Sequence, residues 1–337
     1  MANPILVEIT RGSLVESIHR GAVAIADAEG RIVFSLGNIE AVTYPRSSLK
    51  PIQALPLIES GAADAFGLGD EEIALACASH SGEPMHTTHV SAWLSRIGCE
   101  PSDLACGPHP VRYEPAWDAM VKRGEAPTRV HNNCSGKHTG FLSVARHWDI
   151  AIKGYEHHDH PVQSAVAAAL GALSGIDGAL PWGVDGCAAP NYALPLSAFA
   201  RALAKLASPL TLPSERGNAA RRIVRAMIAH PELVSGTGHP CAALMRSAGG
   251  RAAVKNGAEG YYAGIVPEAG LGIALKIDDG ATRASETAMA SVLDKLGLLG
   301  DDASARALLR APVTNTRNAT VGERRPAAAL AEMGFRI

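Results

Sequence analysis

Aromatic side chains are scarce in this sequence: Phe, Trp and Tyr together make up 4% of 337 residues. Any core must therefore be aliphatic, built from Ala, Val, Ile and Leu. A charge excess is missing too. Lys and Arg number 31 against 33 Asp and Glu, a formal charge of -2, which leaves no basic face for nucleic acid and no polybasic membrane anchor. No apolar run approaches ~18 residues, so no membrane span is expected. The start, MANPILVEIT, has no basic residue and meets Glu8 after a short apolar run, so it is not read as a secretory signal. Cysteine is sparse. Cys77, Cys99, Cys106, Cys134, Cys187 and Cys241 lie at irregular spacings that do not form a disulfide framework. Reduced thiols in a cytoplasmic protein are expected, with any special cysteine serving a metal or catalysis. Internal repeats and low-complexity linkers are absent as well.

What is present suits a globular chain with a large core: 47% apolar and 19% charged residues. The length favours one large domain or two intimately built ones. Gly21 to Gly37 reads as a β-hairpin about the turn Ala28-Glu29-Gly30. Lys50 to Glu59 reads as a helix with Pro51 in its first turn and a break or kink at Pro56. Gly61 closes it. The middle is Ala-rich and helical, with segments Ser91–Arg96, Gly140–Arg146, Pro161–Leu173, Leu196–Ala207 and Arg216–Met227. Polar loops interrupt it. From about Lys255 strands return, Tyr261–Val266 and Gly270–Ile277, followed by a helix Ser285–Leu296. The expected fold is α+β, one sheet from N- and C-terminal strands with a helical middle inserted. Residues 1–337 then form a single domain, with a sheet subdomain of about 1–60 and 250–337 and a helical one of about 61–249.

YPRSSLKPIQ, from Tyr44, sets Ser47 three residues before Lys50. On a helix these positions share a face. A lysine there can accept a serine's proton if burial or nearby positive charge, such as that of Arg46, lowers its pKa so that the amine is neutral. The plain alternative is that Ser47 caps a helix. Lys255-Asn256-Gly257 stands before the late strands. Penicillin-recognising serine hydrolases combine S-x-x-K at a helix start with K-[ST]-G at a late strand. The order here resembles theirs and suggests a β-lactamase-like split fold, with Asn256 as a departure.

Two further loops carry chemistry. ALACASHSGEP ends an apolar run in Ser79, His80 and Ser81, small polar residues suited to close approach by a polar ligand. VHNNCSGKHTG packs His131, Asn132, Asn133, Cys134, Ser135, Lys137 and His138 together. A phosphate-binding loop fails there, since residues 131 and 138 are both His. Zinc held by Cys134 with N/O donors, and by Cys187 and Asp185 from the DGC segment, is chemically reasonable. Buried, inert cysteines are the alternative. Glu156-His157-His158-Asp159-His160 also invites a metal, but adjacent side chains point different ways, so a solvated or helix-capping loop is expected.

Taken together, YPRSSLKPIQALPLIESGAAD, ASHSGEPMHT, HNNCSGKHTGF, the WGVDGC loop, KNGAEGYYAG and GLGIALKIDDG resemble the asparaginase II family of the Rhizobium etli type, from about Arg11 to the end. The resemblance implies hydrolysis of L-asparagine to L-aspartate and ammonia, in a β-lactamase/glutaminase-like fold, as a homodimer. It implies two Ser-Lys pairs, Ser47 with Lys50 and Ser79 with Lys255. It also implies zinc held by Cys134, Lys137 and Cys187. Arg46, Asn133, His138 and Asp185 fall at substrate-pocket positions. Ser47 is the expected nucleophile with Lys50 as base, and the reverse use of the two pairs stays open. A β-lactam- or peptide-acting serine hydrolase, and a non-catalytic metal- or amino-acid-binding protein, are the alternatives.

Overall fold

The computed structural model describes residues 2–334. Its class is α+β, with an antiparallel sheet from both ends of the chain and a helical middle. Contacts divide it into two compact units. One takes the chain up to Ser48, Leu194–Ser208, and the described residues from Ala243 onward; the other takes Leu49–Ala193 and Pro209–Ala242.

The first unit is built on an eight-stranded sheet. Its strands run in the order Ala311–Thr314, Thr320–Pro326, Ile5–Arg11, Leu14–Ala26, Leu271–Ile277, Tyr261–Val266 and Ala253–Asn256, with Ile32–Leu36 also pairing Leu14–Ala26. All these pairings are antiparallel. The strand Leu14–Ala26 holds the sheet together. Its first half pairs with Ile5–Arg11 and its second half with Leu271–Ile277. From Gly21 to Ala26 it is almost wholly apolar, and Ala22–Ala26 are buried, as a strand covered on both faces must be. Helix Leu196–Ala207 packs on this strand and its neighbours. The contact is close because residue 272 is glycine: a Cβ there would stand 2.1 Å from Ala204 N and 2.3 Å from Ala200 O. Helix Thr282–Lys295 also packs on strands of this sheet.

The second unit is helical. At its centre Ser135–His147 has every residue from Ser135 to Ala145 buried. Its Thr139 and Ser143 hydroxyls are satisfied locally. Thr139 Oγ1 donates to Ser135 O, Ser143 Oγ donates to Thr139 O, and Trp93 Nε1 donates to Ser143 Oγ at 3.0 Å. Helix Ser214–Ala229 is fastened to the segment after Leu49 by three ion pairs, Arg216–Glu59, Arg222–Asp64 and Arg225–Asp70.

The hairpin, the late strands and helix Leu196–Ala207 stand where the sequence places them. Several limits differ. The strand of the first hairpin begins at Leu14, and strands Ile5–Arg11, Ala311–Thr314 and Thr320–Pro326 carry no clear apolar alternation to announce them. The expected helix from Lys50 is two short ones, Lys50–Gln53 and Leu55–Glu59. The break falls at Ala54, because Pro56 lacks an N–H for Ile52 O and restricts the backbone before it. The expected subdomain limits move as well. Residues 49–60 belong with the helices, tied there through Glu59, and 194–208 belong with the sheet, because the helix buries its apolar face on the strands.

Candidate active site

Ser79 follows helix Asp70–Ala76 on a loop fastened at both sides within the helical unit. Its N–H donates to Val234 O at 2.9 Å, and the N–H of His80 donates to Asn133 O at 3.1 Å. Lys50 opens helix Lys50–Gln53 and is 1% exposed, Ser79 7%. Lys50 Nζ donates to Ser79 Oγ at 2.9 Å and to the carbonyl of Ala78. This is a buried amine seated on a serine hydroxyl, the contact a nucleophile–base pair needs.

The loop beyond Ser79 is held by side chains. His80 accepts the Gly82 N–H at Nδ1 (3.1 Å) and sits 2.8 Å from Ser135 Oγ at Nε2. Ser135 Oγ donates onward to Val130 O, so the His80 proton lies on Nε2. Burial, with His86 stacked 4.8 Å away, holds His80 far below the usual imidazole range and neutral. Glu83 accepts from the Ser81 hydroxyl and from Thr237 N–H (2.9 Å) and Oγ1 (2.7 Å). Burial works against its charge, but these donors outweigh it and the carboxyl lies below its ordinary value.

In the sheet unit, Ser47 lies half-buried in a 3-10 turn, Arg46–Leu49. It is not a cap, since helix Lys50–Gln53 has no side-chain cap. Arg46 adopts φ 53, the left-handed region, at a cost of about 1–3 kcal/mol for a non-glycine residue. Lys255 is the third residue of strand Ala253–Asn256, is 1% exposed, and donates through Nζ to Asn256 O (2.9 Å) and Oδ1 (2.8 Å). The Ser47 turn lies against the end of that strand: a Cβ on Gly257 would stand 2.4 Å from Pro45 O and 3.3 Å from Ser48 N.

Cys134, Lys137 and Cys187 meet in the helical unit. Cys134 occupies the N-cap of Ser135–His147, its N–H bonded to Asn132 Oδ1 at 2.9 Å. Lys137 Nζ donates to Cys187 Sγ at 3.1 Å, and the two cysteines hydrogen-bond to each other. The thiol of Cys134 is pushed up to about 12 by that bond and by burial. Cys187 is driven well below its ordinary value by the Cys134 thiol and the Lys137 ammonium. Burial disfavours the charge on Lys137, but the two sulfurs outweigh it and hold the amine protonated. The sulfurs of Cys134 and Cys187 are donors of the kind zinc takes in tetrahedral sets; Lys137 would join them only after losing its proton. Among the described residues no group of three or more His, Cys, Asp or Glu is placed to hold a metal.

The remaining expected residues lie as follows. Asn133 is half-buried and gives its carbonyl to His80. Asp185 begins the turn that carries Cys187; its carboxylate accepts the Gly186 N–H at 2.6 Å, its carbonyl accepts from Ala188, and its charge favours protonated Lys137. His138 is buried, and Nδ1 lies 2.7 Å from the hydroxyl of Tyr155. Burial and the neighbouring ammonium push it down to about 3, so it is neutral. The Glu156–His160 stretch is a capping loop: His160 Nδ1 accepts the Val162 N–H at 3.2 Å, and the His158 ring stacks on Trp182. The sequence reading missed Glu83 and Tyr155, and named Asn132 without giving it a role. Asn132 carried a legible signal, an Asn two residues before the helix N-cap Cys134; Tyr155 carried none.

Residues 7–326 match the family model of L-asparaginase II. A search of curated proteins returned no match. Among solved structures, a β-lactamase from Mycobacterium bovis is 15% identical over 81% of this chain and 94% of its own, with a TM-score of 0.41. Simvastatin synthase from Aspergillus terreus is 14% identical over 80% and 90%, with a TM-score of 0.38. Likenesses this distant carry no argument about chemistry.

Proposed function

This chain belongs to the L-asparaginase II family, and from that premise we propose that it hydrolyses the side-chain amide of L-asparagine to L-aspartate and ammonia. Family membership makes it an amidohydrolase; the substrate and the Ser-Lys route are the reading advanced here. The observation that carries the route is the buried hydrogen bond from Lys50 Nζ to Ser79 Oγ.

A neutral lysine has two N–H bonds and one lone pair. The Ala78 carbonyl can only accept, so it takes one N–H, and Ser79 Oγ accepts the other. The lone pair is then left for a third group. Ser47, three residues before Lys50 in the chain, is assigned to it as nucleophile. Its oxygen attacks the side-chain amide carbon while its proton passes to Lys50 Nζ. The C–N bond breaks, the nitrogen takes a proton from the lysine and leaves as ammonia, and water hydrolyses the acyl ester by the same proton path in reverse. Ser79 and Lys255 relay protons and support the tetrahedral intermediate. A second reading is favoured by the Lys50–Ser79 contact itself. If Ser79 donates its proton to Nζ, Ser79 is the acylated serine.

Cys134, Lys137 and Cys187 would hold zinc, which supplies a fixed positive charge for the substrate's α-carboxylate end. Arg46, Asn133, His138 and Asp185 orient the amino-acid end. The reading includes a homodimer in the cytoplasm, and cysteines as few and scattered as these six suit a reducing compartment.

Ammonia release from L-asparagine, measured beside L-glutamine and nitrocefin, tests the function. Asparagine turnover is expected. Nitrocefin turnover alone would favour a β-lactam-type hydrolase, and no turnover of any with zinc or amino acid still bound would favour a binding protein. Metal analysis should find zinc near one per chain in the purified protein and a loss of most of it in Cys134→Ser; full zinc in that variant would sink the assigned ligands.

A further inference from the structure

Tyr155 is placed in none of the roles above, yet its surroundings are unusually well defined. It is 1% exposed in a chain with few aromatics. Its carbonyl accepts from Gln163 Nε2 at 2.9 Å, and its ring lies edge-on to His138 (centroids 5.5 Å apart, planes at 75°) and tilted against Phe141. The backbone and ring are thereby fixed, and so is the hydroxyl. That oxygen accepts the N–H of Ala105 at 2.9 Å and lies 2.7 Å from His138 Nδ1.

These two contacts assign the protons. With the Ala105 N–H already pointing at it, the phenol oxygen has one proton to give, and His138 Nδ1 is within reach to take it. Nδ1 is then an acceptor, and the imidazole proton belongs on Nε2. The reverse tautomer would aim two donors at one phenol oxygen and leave the phenol proton with neither of these partners. His138 Nε2 is buried and has no partner among the described residues. The ring is therefore locked with a buried N–H donor turned away from Tyr155.

We infer that Tyr155 is a positioning residue for the reaction: its hydroxyl fixes the His138 tautomer so that Nε2–H is offered to a hydrogen-bond acceptor, the carboxylate of the bound amino acid. This rests on the reading of His138 as substrate-binding. It adds that the donor is set before the ligand arrives, so no ring rotation or proton exchange accompanies binding. Loss of the phenol hydroxyl leaves Nδ1 without its donor and the ring free to place its proton on either nitrogen.

The test uses the full-length protein labelled with 15N-histidine. The ring nitrogens of His138 are identified as the signals lost in His138→Gln. In the unsubstituted protein they should show the Nε2-protonated form alone; in Tyr155→Phe they should shift to a mixture or to the Nδ1-protonated form. In ammonia-release assays, Tyr155→Phe should raise KM for L-asparagine about tenfold or more, the scale of a hydrogen bond to a charged group, with kcat changed by less than about threefold, as for loss of binding common to ground and transition states. In a His138→Gln background, Tyr155→Phe should change KM by less than about twofold. An Nδ1-protonated His138 in the unsubstituted protein overturns the inference, and needs no variant to fold. So does an unchanged tautomer or an unchanged KM in Tyr155→Phe. If no asparagine is turned over at all, the proposed function fails while the 15N spectra still decide the role of Tyr155.

Discussion

Replacing each serine in turn separates the two uses of Lys50. In Ser79→Ala, Lys50 Nζ loses one of its two acceptors and keeps the Ala78 carbonyl. If Ser79 relays protons, the loss is that of one hydrogen bond to a group that is charged in the transition state, about 1.5–3 kcal/mol, so kcat should fall about 10- to 150-fold. Ser47→Ala removes the attacking oxygen itself, and the fall should be on the order of a millionfold, as when a serine nucleophile is deleted. The assay is steady-state ammonia release over a range of L-asparagine concentrations, with intact-mass analysis of quenched reactions and peptide mapping of any ester. Near-UV circular dichroism shows that each variant is folded. The adduct should map to the peptide bearing Ser47 and persist in Ser79→Ala. A reversed order of losses, or an ester on Ser79, would refute the lone-pair argument and make Ser79 the nucleophile. Near-normal turnover in both variants would sink the Ser-Lys route.

Gly257→Ala should damage activity without touching a reacting group. Its Cβ would stand 2.4 Å from Pro45 O, a backbone atom that cannot swing aside, so the Ser47 turn must move. A loss of about 1–3 kcal/mol in urea unfolding and about 100-fold in kcat/KM is expected; normal turnover would show that the placement of this turn is unimportant. Glu83 supplies a pH dependence. Its folded-state pKa is lowered because the donors from Ser81 and Thr237 outweigh burial. Its contribution to stability is therefore present above the unfolded value of about 4.3 and is lost as pH falls through the lower folded value. Urea unfolding from pH 7 down to 3 should show Glu83→Gln less stable at neutrality, with the gap closing below about pH 4.3; a gap constant with pH would contradict the assigned cause.

How far the sequence alone carried the structure can be read from single elements. The run from Gly21 to Ala26 is apolar without alternation because that strand is covered on both faces, so local composition and tertiary position agree. Helix Leu196–Ala207 announced itself in the same way, through one apolar stripe. Pro56 signalled a break, but the break sits at Ala54, since proline acts on the residues before it. The candidate motifs stood out because chemistry restricts which residues can serve: a Ser three before a Lys, a Cys and a Lys in one polar loop, a Lys before a late strand. Their partners did not. Lys50 meets Ser79 across 29 positions, and Lys137 meets Cys187 across 50, a grouping that came from the family resemblance alone, because no periodicity operates at such separations. Tyr155 lies 17 residues from His138, and nothing in its own stretch distinguishes it from a core aromatic. Sequence by itself determined which residue types were available and where helices and strands could begin and end, because those depend on neighbours along the chain. Which hydroxyl the lysine holds, and which nitrogen of His138 carries the proton, only the tertiary structure decided, because hydrogen bonds between distant segments exist only once packing has brought those segments within about 3 Å.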